Sequence, residues 1–348
     1  MLEKIKIKNF KCFRDISLPL TYLNVLTGPN SGGKSTVLQA ILLASSGFSQ
    51  DNRPALKEVI KPYLSFKEIL CHQAEERRVA IELFLKDEGS IAYFVGDDGS
   101  TAEPMSLGKL LEYEQSLFYL SSGRIGPEEI AKFDEELHIG SRGQFAMGWF
   151  ERVKDNPIDP ALRMKEAPSQ TLKKQLAWWL SYITDKKMDV ETEKITASEV
   201  VVKFVVGEDQ AQMSPYNVGS GNGYLSKLLI MGLTSHPGDL LLVENPEIHL
   251  HPAAQSRVGI FLAFLAEKGV QLLVETHCEH LIHRLRYAVF EKMLSPENLR
   301  LFYIEGDEGK SVRLDVDENG HLRGVDGKEE LFPKGFFDVS LKRLLEMG

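Results

Sequence analysis

The feature that most constrains this 348-residue chain is a glycine-rich segment between two apolar stretches. Residues 28–36 read Gly-Pro-Asn-Ser-Gly-Gly-Lys-Ser-Thr and match the pattern GxxxxGK[ST]. The apolar run 23–27 before it predicts a buried strand, and residues 35–44 are apolar almost all round, which predicts a buried helix. Because a phosphate loop needs this strand–turn–helix context, the segment is predicted to bind a nucleoside triphosphate.

Each residue type in this phosphate loop has a physical task. Glycines allow backbone N–H groups to turn toward phosphate oxygens, and the positive end of the following helix faces the same anion. Lys34 is expected to reach the β and γ phosphates, and the Ser35 hydroxyl to hold Mg²⁺. The predicted nucleotide-binding residues of the loop are Gly28, Asn30, Ser31, Gly32, Gly33, Lys34, Ser35 and Thr36.

Two later strands are predicted to end in polar residues that serve the same site. The apolar run 240–243 leads into Glu244, whose carboxylate is expected to hold Mg²⁺ together with Ser35. A second apolar strand ends in Glu-Thr-His at 275–277, which places a histidine where it can point at a γ-phosphate. The predicted catalytic residues are Glu244, Asn245, Glu247 and His277.

The second half of the chain alternates helix and strand patterns. A second glycine-rich turn at residues 217–223, called the signature turn below, opens a helix and predicts another anion site. The alternation that follows favours a mostly parallel sheet covered by helices. The predicted elements are helix 224–233, strand 240–243, helix 252–267, strand 270–275 and a helix from 279.

Hairpin patterns lie elsewhere in the chain. Residues 4–8 alternate lysine with isoleucine and continue into a second extended piece, as in an amphipathic hairpin. A further hairpin is predicted for residues 79–95, and a last one for 300–323 with Asn319-Gly320 among its turn candidates. Apolar spacing also predicts a helix near 172–183 and a strand at 200–206.

Composition excludes several classes of protein. Fifty acidic against 41 basic residues give a net charge of −9, which argues against a surface devoted entirely to nucleic acid. Three scattered cysteines without a CxxC pair support neither a disulfide framework nor a thiolate zinc site. Since no run reaches the roughly 18 apolar residues of a membrane span and the start is no signal peptide, a cytoplasmic location is expected.

Several of these motifs together carry a family resemblance. Residues 9–13, the phosphate loop, 244–247 and 275–277 resemble the ATP-binding-cassette (ABC) branch of phosphate-loop ATPases, in the soluble group related to SMC, RecF and Rad-type DNA-repair ATPases. More narrowly, the chain is similar to bacterial AAA-family ATPases with a C-terminal domain of unknown function. These are relatives of the nucleotide-binding half of OLD proteins, of the kind found in anti-phage defence. Shorter matches are 65–68, Tyr119, Leu120, Arg124, 140–143, 244–252 and 335–338.

The resemblance implies a fold and a division of the chain. The expected fold is α/β, an ABC-type ATPase head with a mixed or parallel central sheet, an N-terminal antiparallel β portion and an inserted, mainly helical lobe. The core would comprise residues 1–50 and 200–348, with the C-terminal hairpin and tail at 299–348. The inserted lobe would comprise residues 51–199, including the hairpin at 79–95.

The resemblance also implies partners and cofactors. ATP and Mg²⁺ would join two copies head to head, as a homodimer or a higher even-numbered homo-oligomer. Ser220 and Gly221 would act in trans on the partner's γ-phosphate, His277 would be the switch histidine, and residues 250–252 would link the two sites. A separately encoded effector, a nuclease or a toxin, is the implied partner; DNA is left open and a membrane is not expected.

Two departures from the family pattern affect the chemistry. Cassette ATPases usually carry a second acid where this chain has Asn245, and an amide positions water but cannot take its proton. Glu247 or His277 would then contribute, or turnover would be slow. The signature turn reads Val-Gly-Ser-Gly-Asn-Gly rather than the transporter form Leu-Ser-Gly-Gly-Gln, which weakens a transporter interpretation. A DNA-repair or recombination ATPase of RecF/SMC type and a slowly hydrolysing nucleotide-gated scaffold stay open as functions.

Four weaker patterns favour plain structural interpretations or stay open. The histidines at 249, 251, 277, 280 and 283 do not favour a dedicated zinc site, and residues 303–307 are more typical of a hairpin turn than of a nuclease motif. Lysines around Trp178 and Trp179 are more typical of a solvated face than of a DNA contact. Arg124 and Arg142 fit phosphate recognition and structural salt bridges equally well.

Overall fold

The computed structural model describes residues 1–48, 66–87, 89–96, 111–305, 310–330 and 332. The helices in this part of the chain are α1 (Lys34–Phe48), α2 (Phe66–Ile69), α3 (Ala146–Val153), α4 (Leu172–Thr184), α5 (Ser220–Leu233), α6 (Pro252–Glu267) and α7 (Glu279–Phe290). The strands are β1 (Leu2–Phe10), β2 (Phe13–Pro19), β3 (Leu23–Thr27), β4 (Arg78–Leu85), β5 (Gly89–Gly96), β6 (Leu117–Leu120), β7 (Ile130–Lys132), β8 (Met188–Lys194), β9 (Glu199–Val206), β10 (Ala211–Met213), β11 (Leu240–Glu244), β12 (Gln271–Glu275), β13 (Leu299–Ile304), β14 (Ser311–Val316) and β15 (Leu322–Arg323).

A seven-stranded mixed sheet forms the centre of the fold, in the order β15-β14-β13-β3-β12-β11-β6. The strands β13, β3, β12, β11 and β6 pair in parallel, whereas β14 pairs antiparallel with β13, and β15 pairs antiparallel with β14. The predicted α/β class with a mixed central sheet is therefore confirmed. Because the five strands that pair in parallel share one direction, their carboxyl ends meet along one edge of the sheet.

The central strands are apolar on both faces because both faces are covered. In β11, Leu240 and Leu242 lie in the core shared with α1 and the N-terminal strands. Leu241 and Val243 lie in the opposite core, which contains residues of α3 to α7. A strand buried on both sides needs a continuous apolar run, which is why these strands stand out in the sequence.

The predicted N-terminal hairpin forms one edge of a second, antiparallel sheet in the order β2-β1-β4-β5. Ile7 is opposite Ile16 on β2 and opposite Ile81 on β4. The predicted hairpin at 79–95 forms β4 and β5 of this sheet. A third sheet has the order β10-β9-β7, with β8 also paired to β9.

Strands from the region 51–199, which was predicted to form an inserted lobe, pair with strands outside it. The predicted domain division stays a prediction. Strands β4 and β5 share a sheet with β1, and β6 forms an edge of the central sheet. Residues 49–65 and 97–110 lie outside the described residues. Sequence reasoning did not predict α2, α3, β6, β7, β8 or β10.

The predicted elements after residue 219 are present. Helices α6 and α7 begin at the predicted residues, and α5 begins four residues earlier, within the signature turn. In the final hairpin β13 pairs with β14, and Asn319-Gly320 lies in the turn that joins β14 to β15. The tail from 333 onward and the match at 335–338 lie outside the described residues. No helix in the described part of the chain is both long and apolar enough to cross a membrane.

We expect Leu273→Ala to lower the free energy of unfolding by about 2–5 kcal/mol, because it removes a fully buried side chain from the core beneath α1. The matched control is Val325→Ala at a position that is 75% exposed, where we expect a change within about 0.5 kcal/mol. Chemical denaturation followed by circular dichroism measures both. Equal effects of the two substitutions would contradict this account of the core.

Candidate nucleotide-binding site

The phosphate loop connects β3 to α1 and packs tightly against its neighbours. A Cβ atom at Gly28, where φ is +132°, would overlap the carbonyl oxygen of Ile304, and one at Gly32 would lie 2.7 Å from the same oxygen. At Gly33, with φ +102°, a Cβ would lie 2.5 Å from Cys12 Sγ. Only glycine fits these three positions, so the loop backbone stays free to approach a phosphate chain closely.

Lys34 begins α1, and only 3% of it is exposed. Its Nζ donates to the carbonyl oxygens of Gly28 at 3.2 Å and Pro29 at 2.7 Å, so the ammonium group lies within the curve of the loop. Burial lowers the pKa of Lys34, and the nearby Glu275 carboxylate opposes this shift. The predicted lysine is therefore placed where phosphate oxygens would approach.

The other loop residues differ in exposure. Asn30 and Ser31 are exposed, and Ser31 has the left-handed φ of +63°. Ser35 is half-buried, whereas Thr36 is buried and its hydroxyl oxygen lies 3.9 Å from Cys12 Sγ. The Thr36 hydroxyl thus has a contact within the protein, while the other three side chains are accessible to a ligand.

Glu244 lies at the end of β11 with both carboxylate oxygens fixed. The Tyr119 hydroxyl donates to Oε1 at 2.8 Å, and the Ser122 backbone N–H donates to Oε2 at 2.9 Å. Tyr119 belongs to β6, which runs parallel beside β11, and Ser122 lies just after the end of β6. Sequence reasoning predicted Glu244 but missed these partners, because it did not predict β6.

Glu275 is a buried acid beside Glu244 that sequence reasoning did not name as a site residue. The register of β11 and β12 places the two glutamates opposite each other on neighbouring parallel strands. Glu275 is 7% exposed, and its Oε2 has no hydrogen-bond partner. Burial raises the pKa of Glu275, the Ser35 hydroxyl opposes this by hydrogen bonding, and the Glu244 charge adds to the rise. The signal was present in the sequence, since two apolar runs each end in glutamate.

Glu247 and Asn245 lie in the turn after β11. The Thr276 hydroxyl donates to Glu247 Oε1 at 2.7 Å, and the buried Oε2 of Glu247 has no partner. Burial raises the pKa of Glu247, while the Thr276 hydrogen bond and the Arg124 charge oppose it. Asn245 has a left-handed φ of +43°, and its N–H donates to the Glu275 carbonyl at 2.7 Å.

His277 follows β12 and is exposed. Partial burial lowers its pKa, and the positive charge of Lys34 lowers it further. The electrostatic contact with Lys34 indicates that the two predicted residues lie near each other. A neutral imidazole at this point can accept or donate a hydrogen bond at the phosphate end of the site.

The signature turn lies elsewhere on the surface of the same chain. Helix α5 begins at the exposed Ser220, after Gly219 with φ +86°. Gly221 is buried, and a Cβ there would lie 2.5 Å from the His249 carbonyl oxygen. Residues 217–222 and 249–251 line an open groove of about 600 Å³. None of residues 28–36, all of which are described, lines this groove, so the two glycine-rich turns do not share it.

The oxygen donors around the phosphate loop fit Mg²⁺. Among the described residues, no three His, Cys, Asp or Glu side chains are grouped to hold a metal ion by themselves. Mg²⁺ bound with a nucleotide, however, needs only one or two carboxylates beside phosphate oxygens and water. The Ser35 hydroxyl, the Glu244 carboxylate and the unpartnered oxygen of Glu275 provide oxygen donors of that kind.

The sequence did not decide between phosphate recognition and a structural role for Arg124 and Arg142, and the two residues have different environments. Arg124 is 4% exposed, and its guanidinium donates to the carbonyl oxygens of Glu244, at 2.8 Å, and Asn245. Burial lowers the pKa of Arg124 to about 10, against the opposing charges of Glu247 and Glu244. Arg142 is exposed and donates from Nε to the Gly123 carbonyl at 3.1 Å. Arg124 therefore supports the turn that carries the candidate catalytic residues.

The lysines of α4 have acidic neighbours. Lys173 lies 3.7 Å from Glu191, and Lys174 lies 3.7 Å from Asp189. Trp179 of the same helix is buried in the core. The arrangement matches a solvated lysine face over a tryptophan core.

The fold is that of an ABC-type ATPase head, with a phosphate loop at the carboxyl edge of its parallel strands. Residues 23–282 match the family described as "AAA domain, putative AbiEii toxin, Type IV TA system", and the chain belongs to this family. The predicted membership in an AAA, ABC-type group of SMC and OLD kind is confirmed.

Individual relatives agree with this assignment. A 41-residue stretch is 51% identical to the OLD nuclease of Thermus scotoductus; it spans 12% of this chain and 8% of that nuclease. The structure of an Smc head bound to the C-winged helix domain of ScpA has a TM-score of 0.53 at 14% identity, covering 91% of this chain and 97% of that chain. An Smc head with an extended coiled coil, bound to the C-terminal domain of ScpA derived from Pyrococcus furiosus, has a TM-score of 0.55 at 11% identity, with coverages of 91% and 96%. These two structures share the fold.

We expect Glu275→Gln to stabilise the nucleotide-free protein at neutral pH. Because the folded-state pKa of Glu275 is raised, the folded chain binds the proton more tightly than the unfolded chain, and this glutamate's contribution to stability falls as pH rises above its unfolded pKa. The advantage of Glu275→Gln should therefore be absent at acidic pH, below the unfolded pKa, and grow toward neutral pH. Denaturant titrations across this pH range measure it, and a pH-independent difference would contradict the prediction.

Proposed function

We propose that the chain is a Mg²⁺-dependent, ATP-hydrolysing subunit whose ATP-driven head-to-head dimerisation controls a partner effector in bacterial anti-phage defence. The observation that carries the proposal is the meeting of Lys34, Ser35, Glu244 and Glu275 at the carboxyl edge of the parallel strands. A cation from the loop and carboxylates from two strands suit a nucleotide that carries its own metal ion.

In the proposed reaction the protein acts mainly by positioning and charge neutralisation. Backbone N–H groups of the phosphate loop and Lys34 would bind the phosphates, and Ser35 and Glu244 would hold Mg²⁺, with Glu275 as a second carboxylate. Bound Mg²⁺ neutralises phosphate charge. Asn245 would orient the attacking water.

The proton acceptor in this scheme is Glu247 or His277. Glu247 has an unpartnered oxygen and a raised pKa, and His277 is held neutral by its lowered pKa. Neither group directly follows Glu244, the position from which the second acid of cassette ATPases polarises the attacking water. The proposal therefore includes slow turnover.

Dimerisation is proposed because one chain presents two half-sites. Ser220 is exposed at the start of α5, and the groove beside it contains none of the phosphate-loop residues. A second copy facing the first would bring its signature turn onto the bound triphosphate, so that ATP becomes part of the interface. The positive end of α5 suits a γ-phosphate.

The defence role and the effector are supported by likeness to other proteins. The short match to an OLD nuclease and the family's description as a putative toxin favour a cytoplasmic ATPase that works with a separately encoded nuclease or toxin. The solved Smc heads are bound to ScpA, which favours a partner protein here as well. A DNA-repair ATPase is the second candidate, and the amide at Asn245 favours the third, a nucleotide-gated scaffold.

Lys34→Ala should abolish phosphate release, because it removes the only side-chain cation of the phosphate loop. Single-turnover assays with purified protein, ATP and Mg²⁺ measure the release. Lys165→Ala, at an exposed lysine away from the phosphate loop, is the matched control and should keep the wild-type rate. A wild-type protein that binds ATP but releases no phosphate would favour the scaffold.

A slowly hydrolysed ATP analogue with Mg²⁺ should double the apparent mass of the protein in solution, measured by light scattering after size exclusion. Ser220→Arg should prevent this association by placing a bulky cation at the interface, while analogue binding at the chain's own loop persists. Ser198→Arg, at another exposed serine, is the control and should associate normally. Wild-type protein that stays monomeric at saturating analogue would contradict the proposed dimer.

A further inference from the structure

Thr276 is a fully buried threonine between two of the candidate catalytic residues. It follows the last residue of β12, Glu275, and directly precedes His277. Its exposed fraction is 0%. Because a hydroxyl group that is withdrawn from water needs partners within the protein, the partners of Thr276 show which parts of the site it connects.

The Thr276 hydroxyl has a hydrogen-bond partner on each side. It donates to Glu247 Oε1 at 2.7 Å and accepts from the backbone N–H of Cys278 at 2.9 Å. The contact with Cys278 closes a short turn around His277, in the way that threonine hydroxyls commonly bond to backbone two residues away. The contact with Glu247 joins this turn to the turn that follows β11.

The same two turns are joined at other points. The backbone N–H of Asn245 donates to the Glu275 carbonyl oxygen at 2.7 Å. Burial raises the pKa of Glu247, and hydrogen bonds from the Thr276 hydroxyl and the His277 backbone N–H are among the contacts that oppose this rise. The backbone of His277 therefore lies close to the Glu247 carboxylate, and a displacement of this carboxylate would release the turn that carries His277.

The carboxylate of Glu247 is poorly placed to take a proton from a water molecule. The residue is 8% exposed, its Oε1 accepts from Thr276, and its unpartnered Oε2 is buried away from solvent. A proton acceptor must lie within hydrogen-bond distance of the proton it takes, directly or through one water molecule. His277, by contrast, is exposed. A role within the protein therefore suits Glu247 better than contact with the attacking water.

We propose that Thr276 and Glu247 are positioning residues, whose contact holds the turn that carries His277 in place for ATP hydrolysis. Neither side chain touches the reacting atoms. The proposal rests on the proposed function, because its effect is on ATP hydrolysis. It also removes Glu247 from the two proton acceptors of the proposed reaction.

Thr276→Val tests the role of the hydroxyl group, because valine keeps the branched shape of the side chain without its hydrogen bonds. We expect kcat for phosphate release to fall at least about tenfold and the KM for ATP to change by less than about twofold, since neither contact of the hydroxyl belongs to the phosphate loop. Thr276→Ser keeps the hydroxyl group and should retain kcat within about threefold of wild type. Unchanged kcat in Thr276→Val would overturn the proposal.

Thr192→Val is the matched control. Thr192 lies in β8, is 6% exposed, and donates from its hydroxyl to Glu151 Oε2 at 2.5 Å. The control thus loses a buried bond from threonine to glutamate outside the candidate site, and it should keep the wild-type kcat and KM. An equal fall of kcat in Thr192→Val and Thr276→Val would show a general loss of stability and would overturn the proposal.

Substitutions of Glu247 distinguish positioning from proton transfer. Glu247→Gln keeps an oxygen that accepts from Thr276 and should retain kcat within about threefold, whereas Glu247→Ala should lower kcat as far as Thr276→Val does. Combining Glu247→Ala with Thr276→Val should lower kcat no further, because the two side chains act through one contact. If Glu247→Gln were as inactive as Lys34→Ala, Glu247 would be the proton acceptor and the proposal would be wrong.

Amide hydrogen exchange at Cys278 measures the contact without any hydrolysis. We expect exchange at least about tenfold faster in Thr276→Val than in wild type or Thr192→Val, because the Cys278 N–H loses its acceptor. Equal exchange in the three proteins would overturn the positioning role while leaving the proposed ATPase function intact. A wild-type protein that protects Cys278 but releases no phosphate would overturn the proposed function, and this role with it.

Discussion

The parallel register between β11 and β12 is the constraint on which the candidate site depends. It aligns Glu244 with Glu275, so two acids end neighbouring strands at the same height and on the same face. Two buried carboxylates side by side repel each other, and the Lys34 ammonium and the Ser35 hydroxyl offset that repulsion. Mg²⁺ bound with a nucleotide would offset the remaining repulsion between the two carboxylates.

The sequence predicted those parts of the fold in which local pattern and burial coincide. Strands β3, β11 and β12 are buried on both faces, so their apolar runs and the polar residues that end them could be located from sequence alone. Helices α6 and α7 were predicted at their first residues, because Pro252 marks one start and the turn after β12 marks the other. These elements carry the nucleotide-binding residues, which is why the candidate site was largely predictable.

What the sequence did not predict depends on contacts between distant segments. Strand β6 has only four residues, too short for a periodic signal, and its role becomes visible only through its pairing with β11. Tyr119, Ser122 and Arg124 gain their contacts with Glu244 and Asn245 through that pairing. The sequence showed that Glu275 ends an apolar strand, but it did not show that Glu275 lies beside Glu244. Local sequence patterns do not determine the order of strands in a sheet.

The left-handed backbone at Asn245 offers a structural reason for asparagine at this position, in addition to its proposed role in orienting water. Asparagine adopts this conformation more readily than other residues with a side chain, whereas a glutamate there would be disfavoured by roughly 1–2 kcal/mol. A glutamate at this position would therefore strain the bend after β11 as well as change the chemistry of the site. The geometry of this single turn thus restricts which side chains can face the phosphate end of the site.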